Sequence, residues 1–434
     1  MNPDVWPYSL YIHVPFCRRR CSYCDFNTYA GLEALIPDYV TALRGEIELL
    51  GAAAEERLAG CLPVHTVFLG GGTPSRLPLP ELERLFSAVR GAFNLQPEAE
   101  ISLEANPGTV DLAYLRGLRG LGLNRLSLGM QSAHADELQL LGRIHTYAEV
   151  PQAVGWARAA GFDNLNLDVI FGLPGQTLER WQVTLERALG LGVEHLSLYA
   201  LTLEEGTPLL GRVAAGQLPE PDPDLAADMY DLATEILDNA GFHQYEISNW
   251  ARTTGEADSE VLNPSYACQH NLQYWRNRPY LGVGAGAHGY ICMPAPKLLE
   301  EDGQAVGRAG ALGTPLSMRI ANVLAPAEYI RRMVEWDGKR CDFPQTPAAA
   351  QVTPIDMPAE IAETMMMGLR LTREGVSRAA FQARFDRSLT EVFGPQIERL
   401  TRLGLLEWAG TGQDVLRLSR RGRFLGNRVF VEFI

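Results

Sequence analysis

The chain has 434 residues, 46% of them hydrophobic, and a formal net charge of −14. That length and composition bury a sizeable core in two or three domains, and the acidic balance gives no footing to a nucleic-acid binder. Seven cysteines, at 17, 21, 24, 61, 268, 292 and 341, do not form the even framework of a small secreted domain, so a reducing compartment is expected.

The opening stretch "MNPDVWPYSL" lacks the basic start and apolar run of a signal peptide. No apolar run reaches the roughly 18–20 residues that span a bilayer. A cytoplasmic location is the expectation, with peripheral membrane contact left open. Strands are expected at 9–14 ("SLYIHV"), 66–70, 101–105, 125–129, 164–172 and 195–201. Amphipathic helices are expected between them, as at 35–58 and 79–93. This alternation predicts an α/β fold, a parallel sheet curled into a partial (β/α)6 barrel, with ligand sites at the C-terminal ends of its strands.

"LPEPDPD" (218–224) reads as a break before a helix at 225–240, and 251–264 as a polar loop. The stretch 293–315 has no clear period and reads as a linker. Helical segments near 358–373, 377–387 and 390–403 precede a strand, a Gly-rich turn, a strand and a final helix. That order predicts a helical, winged-helix-like C-terminal domain. The expected division is 1–290 for the barrel and its extension, 291–357 for a connecting linker, and 358–434 for the last domain.

"CRRRCSYC" (17–24) places Cys17, Cys21 and Cys24 in C-x3-C-x2-C order, directly after the first strand. Three thiolates are one too few for a closed tetrahedral site. One reading is structural zinc, with His13 or Cys61 as a distant fourth ligand. The other is an iron–sulfur cubane with one iron left open to another ligand. At the end of the next strand, "GGGTP" (70–74) lets backbone approach a ligand closely. Glu104, Gln131 and Asp168 sit on or after later strands, and Arg143 lies in "LGRIH", so polar groups recur around one barrel mouth.

C-x3-C-x2-C together with "GGGTP" resembles the radical S-adenosylmethionine (SAM) superfamily. The resemblance implies a [4Fe-4S] cluster on Cys17, Cys21 and Cys24, with SAM on the open iron. It also implies that the cluster's electron cleaves SAM to methionine and a 5′-deoxyadenosyl radical. Contacts to SAM are then expected from Tyr11, Tyr23, Gly71, Gly72, Thr73, Glu104, Gln131, Arg143, Asp168 and Thr202. The ordered segments "LYIHVPFC", "FLGGGTPS", "LEANPGT", "NRLSLGMQS", "LGRIH", "NLDVIFGLPGQT" and "QYEISNWA" narrow the match. They resemble the oxygen-independent coproporphyrinogen III dehydrogenases and their sister group, the HemW-type haem chaperones.

Three features separate the sister groups. The dehydrogenases carry a fourth cysteine two residues after the third, where this chain has Phe26. They also carry a long extension before the first strand, which here begins at Ser9. "HNLQYW" (270–275) matches the H-N-x-x-Y-W motif of the chaperone branch. On that resemblance haem contact is expected at His270, Tyr274 and Trp275, with Cys268 and His288 as alternative ligands. The implied function is haem binding and delivery to haem-acceptor proteins; coproporphyrinogen decarboxylation is the alternative. The resemblance further implies an electron donor such as flavodoxin or ferredoxin and allows a homodimer. Arg18–Arg20 suit an acidic donor or a plain solvated loop. Cys61, Cys292 and Cys341 read as packing residues.

Overall fold

The computed structural model describes residues 6–58, 60–254, 262–292, 317–338 and 341–434. Twelve strands form one open sheet. We number them β1 (Tyr8–Val14), β2 (Pro63–Gly71), β3 (Asn94–Ala105), β4 (Arg125–Gln131), β5 (Leu165–Phe171) and β6 (His195–Ala200). They continue as β7 (His243–Glu246), β8 (Asn249–Ala251), β9 (Tyr280–Val283), β10 (His288–Cys292), β11 (Ser317–Asn322) and β12 (Ala349–Ile355). The spatial order is β12-β11-β10-β9-β1-β2-β3-β4-β5-β6-β8-β7. β1 to β6 pair in sequence order and all run parallel. This is the expected six-unit partial barrel.

The six strands largely alternate apolar with polar residues. Leu10, Ile12, Val14, Val67, Leu69, Leu103, Leu126, Leu128, Leu167 and Leu196 belong to the buried apolar core. Between them fall Ser9, His13, Thr66, Ser102, Arg125, Ser127, Asn166, His195 and Ser197, all buried and all polar. Period-two alternation sends these sets to opposite faces. The apolar face receives the crossover helices, beginning with Ile36–Leu58, which buries Tyr39, Leu43, Ile47 and Leu50 at helical spacing. The polar face is the barrel lumen. The expected break at 218–224 is a helix start: Asp222 caps the helix Pro223–Asn239 by accepting from the amides of Asp224 and Leu225.

The expected linker at 291–357 is, where described, part of the fold. Its residues 293–316 lie outside the described residues. Beyond them, β11 and β12 extend the sheet antiparallel from β10, with the helix Pro326–Val334 between them. Glu46 fastens this extension to the barrel. Its buried carboxylate accepts from the Gly284 amide at 2.8 Å, Asn322 at 2.8 Å, Tyr329 at 2.6 Å and Thr346 at 2.8 Å.

The C-terminal region has its own core, including Ile361, Met365, Phe381, Phe385, Ile397, Leu416 and Leu418. Helices Met357–Gly368, Arg378–Phe385 and Leu389–Arg402 precede an antiparallel hairpin of Leu406–Ala409 and Val415–Leu418. The short strand Val376–Ser377 completes a three-stranded sheet, the winged-helix-like pattern expected from sequence. No described helix is long and apolar enough to cross a membrane.

Candidate functional site: three thiols at the mouth of a polar barrel

Cys17 follows β1 on a short strand, Phe16–Cys17, paired parallel with Tyr29–Ala30. The loop between holds Cys21 and Cys24 at the barrel mouth. Ser22 pins it: its amide donates to Leu141 O at 3.0 Å, its hydroxyl to Leu140 O at 2.7 Å, and its carbonyl accepts from the Leu209 amide at 2.9 Å. Asn27 pins its far side by donating to Ala285 O at 2.9 Å and Leu324 O at 3.0 Å. These hydrogen bonds fix the thiol loop to the barrel frame.

Each thiol meets a neighbour suited to a thiolate. Thr73 Oγ1 donates to Cys17 Sγ at 3.6 Å, Arg143 Nη1 to Cys21 Sγ at 3.5 Å, and Thr28 Oγ1 lies 3.8 Å from Cys24 Sγ. Arg143 is itself aimed by its second amino group, which donates to Gly129 O at 3.0 Å. Burial raises the Cys17 and Cys24 thiols, and the two hydroxyls oppose that shift. Tyr23 packs beside Leu141, Ile170 and Leu173, where burial pushes its phenol up.

Neither expected fourth zinc ligand is placed for that role. The His13 ring spans Asn27 O at 2.9 Å and Tyr11 OH at 3.0 Å. Cys61 is exposed and donates to Ala92 O at 3.7 Å. Among the described residues, no three His, Cys, Asp or Glu side chains are arranged around a single metal ion. A cubane asks for something else, since each thiolate takes a different iron.

The residues fit a cluster carrying SAM on three counts. The thiols are free. The "GGGTP" turn is a cradle that side chains would fill. A Cβ at Gly71, whose φ is +110°, would stand 2.5 Å from the His13 ring, and one at Gly72 would stand 2.9 Å from the backbone of Val14, Pro15 and Phe16. Gln131 has a left-handed backbone (φ 64°), and its buried Oε1 has no hydrogen-bond partner. An orphaned acceptor of this kind asks for a ligand donor. When bound, such a pair supplies single-electron chemistry on SAM.

Glu104 and Asp168 project into the same lumen. The Gly71 amide donates to Glu104 Oε2 at 3.1 Å. Burial, with the Asp168 charge added, pushes the Glu104 acid up to about 8. Asp168 accepts from Ser127 at 2.9 Å and Asn166 at 2.8 Å, and burial raises it too. Thr202 stands exposed just past β6. The structure thus gathers Tyr11, Gly71, Gly72, Thr73, Glu104, Gln131, Arg143 and Asp168 around one polar lumen and its rim.

Sequence reading missed the lumen's floor. Arg125 is 2% exposed and its Nε has no partner. The charges of Glu100 and Asp168 act on it. His195 bridges Asn166 Oδ1 at 2.6 Å and Tyr245 OH at 2.9 Å. A signal was present: parallel strands buried on both faces normally read as continuous apolar runs, and here polar residues such as Arg125, Asn166 and His195 interrupt them.

"HNLQYW" closes the floor as the helix Gln269–Trp275. Glu100 caps it, accepting from the amides of Gln269 at 3.0 Å and His270 at 3.1 Å. His270 is buried against Phe68, ring centroids 5.0 Å apart. Its Nδ1 meets Thr66 Oγ1 at 2.7 Å, and that hydroxyl donates onward to Ser9. Nδ1 therefore carries the proton, and Nε2 accepts from Tyr274 OH at 2.8 Å. Burial pushes the imidazole down to about 3, so it is neutral. The two expected haem contacts His270 and Tyr274 are thus hydrogen-bonded to each other, and Trp275 lies under the Arg370 guanidinium at 4.3 Å. Cys268 is a buried thiol, pushed up to about 12 by burial. Of the three ligand candidates only His288 is exposed.

A partial parallel barrel with three free thiols in C-x3-C-x2-C order at its mouth defines a radical SAM protein. Residues 11–188 match the radical SAM superfamily, and residues 355–425 match the HemN C-terminal domain. The heme chaperone HemW of Bacillus subtilis is 34% identical over 98% of this chain and 99% of its own length. The HemW of Synechocystis is 38% identical over 86% of this chain and 80% of its own, and that of Escherichia coli 40% over 68% and 72%. The chain belongs to the HemW family. The solved coproporphyrinogen III oxidase HemN of E. coli has the same fold, with a TM-score of 0.75 over 98% of this chain and 90% of its own at 23% identity.

Proposed function

We propose that this protein binds haem and delivers it to haem-requiring proteins in the cytoplasm. The observation that carries the reading is kinship over nearly the whole chain with proteins named as heme chaperones. The site supports it: Phe26 stands where the dehydrogenase resemblance calls for a fourth cysteine, and its side chain is 64% exposed. In this reading Cys17, Cys21 and Cys24 hold a [4Fe-4S] cluster. Tyr11, Tyr23, the Gly71–Thr73 turn, Glu104, Gln131, Arg143, Asp168 and Thr202 receive SAM. A flavodoxin- or ferredoxin-like donor reduces the cluster, and Arg18–Arg20, all exposed, offer an acidic donor a landing surface. Homodimerisation and peripheral membrane contact belong to the same proposal. Iron ligation by His270 belongs to it only if Tyr274 yields its hydrogen bond on Nε2.

One observation favours the alternative, coproporphyrinogen decarboxylation: the lumen keeps its full polar lining, including Glu104 and Asp168. Transfer tests the carrier. Haem-loaded protein mixed with an apo haem protein should lose haem to it, seen as the acceptor's own absorption spectrum. No transfer to any acceptor, with haem held tightly throughout, would contradict delivery.

A further inference from the structure

A cavity of about 350 Å³ opens where the barrel edge meets the C-terminal domain. Ile247, in the turn between β7 and β8, forms one side; Arg370 and the segment Arg423 to Arg428 form the rest. Three arginines line it, with no carboxylate among the lining residues. Two keep an unsatisfied N–H: the Nε atoms of Arg370 and Arg423 are buried with no hydrogen-bond partner. Their other contacts are partial. Arg370 lies 3.5 Å from Glu246 Oε2 and over the Trp275 ring, and Arg423 Nη1 donates to Gln244 Oε1 at 2.8 Å. Arg428 is exposed. Phe424, 37% exposed, gives the cavity an apolar wall beside its charges.

A buried guanidinium N–H without an acceptor is costly, and native structures rarely keep one without a ligand or water. Planar guanidinium forks match carboxylates two hydrogen bonds at a time. A ligand that satisfies this wall carries two carboxylates on a flat apolar body. Haem has that form, with two propionates along one edge of a hydrophobic disc. We propose that this cavity receives the propionate edge of haem, with Arg370, Arg423 and Arg428 on the carboxylates and Phe424 and Ile247 against the ring. The proposal rests on the haem-carrier reading and gives that reading a place. It also gives the "HNLQYW" helix a role without iron ligation, since Trp275 props Arg370 at the cavity wall. Burial works against the Arg423 charge, a cost that a bound carboxylate offsets.

The test is a Soret titration of the full-length protein with haem and with haem dimethyl ester, whose propionates are uncharged. Wild type should prefer haem by about tenfold or more. Arg428→Gln and the double variant Arg423→Gln/Arg428→Gln should lose that preference while keeping wild-type thermal midpoint and iron content. Equal binding of haem and ester by wild type would overturn the proposal and leave the carrier reading standing. So would a preference that survives in the folded variants. Wild type that binds neither would overturn the carrier reading itself. Should the double variant fail to fold, Arg428→Gln and the wild-type comparison still decide, because Arg428 is exposed. Inorganic phosphate added alone measures plain anion affinity; phosphate that displaces ester and haem equally would reduce the cavity to a general anion site and overturn the proposal.

Discussion

The Gly71 amide donates to Glu104 Oε2 across 3.1 Å, joining the glycine turn after β2 to the carboxyl on β3. That carboxyl is pushed from its ordinary 4.5 up to about 8, first by burial and then by Asp168. The folded protein thus holds a proton that the unfolded chain has already lost at neutral pH. The stability linked to this proton is complete below about pH 4.5 and is lost as pH rises through about 8. Glu104→Gln keeps the acceptor and cannot ionise. Its thermal midpoint should gain on wild type steadily across that window. A gap that stays flat with pH would contradict the placement of Glu104.

Gly71→Ala puts a methyl 2.5 Å from the His13 ring at a φ of +110°. A cost of about 1–3 kcal/mol in stability is expected. The reconstituted cluster should remain, because no cysteine is touched. Addition of SAM should alter the reduced cluster's paramagnetic resonance in wild type and much less in this variant. An equal response would remove the glycine turn from the SAM site.

Anaerobic reconstitution should load about four irons and four sulfides per chain. Cys17→Ala, Cys21→Ala and Cys24→Ala should each abolish the cluster, since each removes one iron's protein ligand. Cys268→Ala should not, because that thiol is buried against Glu100 at 3.5 Å, away from the mouth. Tight zinc binding without sulfide would contradict the cluster.

Tyr274→Phe removes the hydrogen bond on His270 Nε2 and leaves the ring packing. Stability should fall by about 1 kcal/mol, with haem affinity unchanged within about twofold. Markedly tighter haem binding would put iron on Nε2, because the variant would have freed the ligand in advance.

The barrel was legible because its strands are rich in β-branched, aromatic and leucine residues and its helices carry a helical period; β1, β2 and β4 to β6 lie within a few residues of their expected positions, while β3 begins seven residues before its expected start at 101. The thiol loop was visible in the C-x3-C-x2-C spacing, which by itself left zinc and a cluster both open. The floor was not. Arg125, Asn166 and His195 come from three separate strands, and only the sheet's register brings them together. The setting of His270 was also hidden, since a motif does not reveal that Thr66, 204 residues away, accepts the hydrogen bond from its Nδ1. β11 and β12 were missed because polar residues interrupt their apolar pattern, Ser317, Arg319 and Asn322 in one and Gln351, Thr353 and Pro354 in the other, so that they resemble a linker.

The central claim is that this chain carries haem and does not make its precursor. The most direct measurement titrates anaerobically reconstituted wild-type protein with haem while a parallel sample, with reductant and SAM, is offered coproporphyrinogen III. The account predicts saturation near one haem per chain and no protoporphyrinogen IX, because Phe26 stands in place of the dehydrogenase cysteine. Robust protoporphyrinogen IX formation would contradict it.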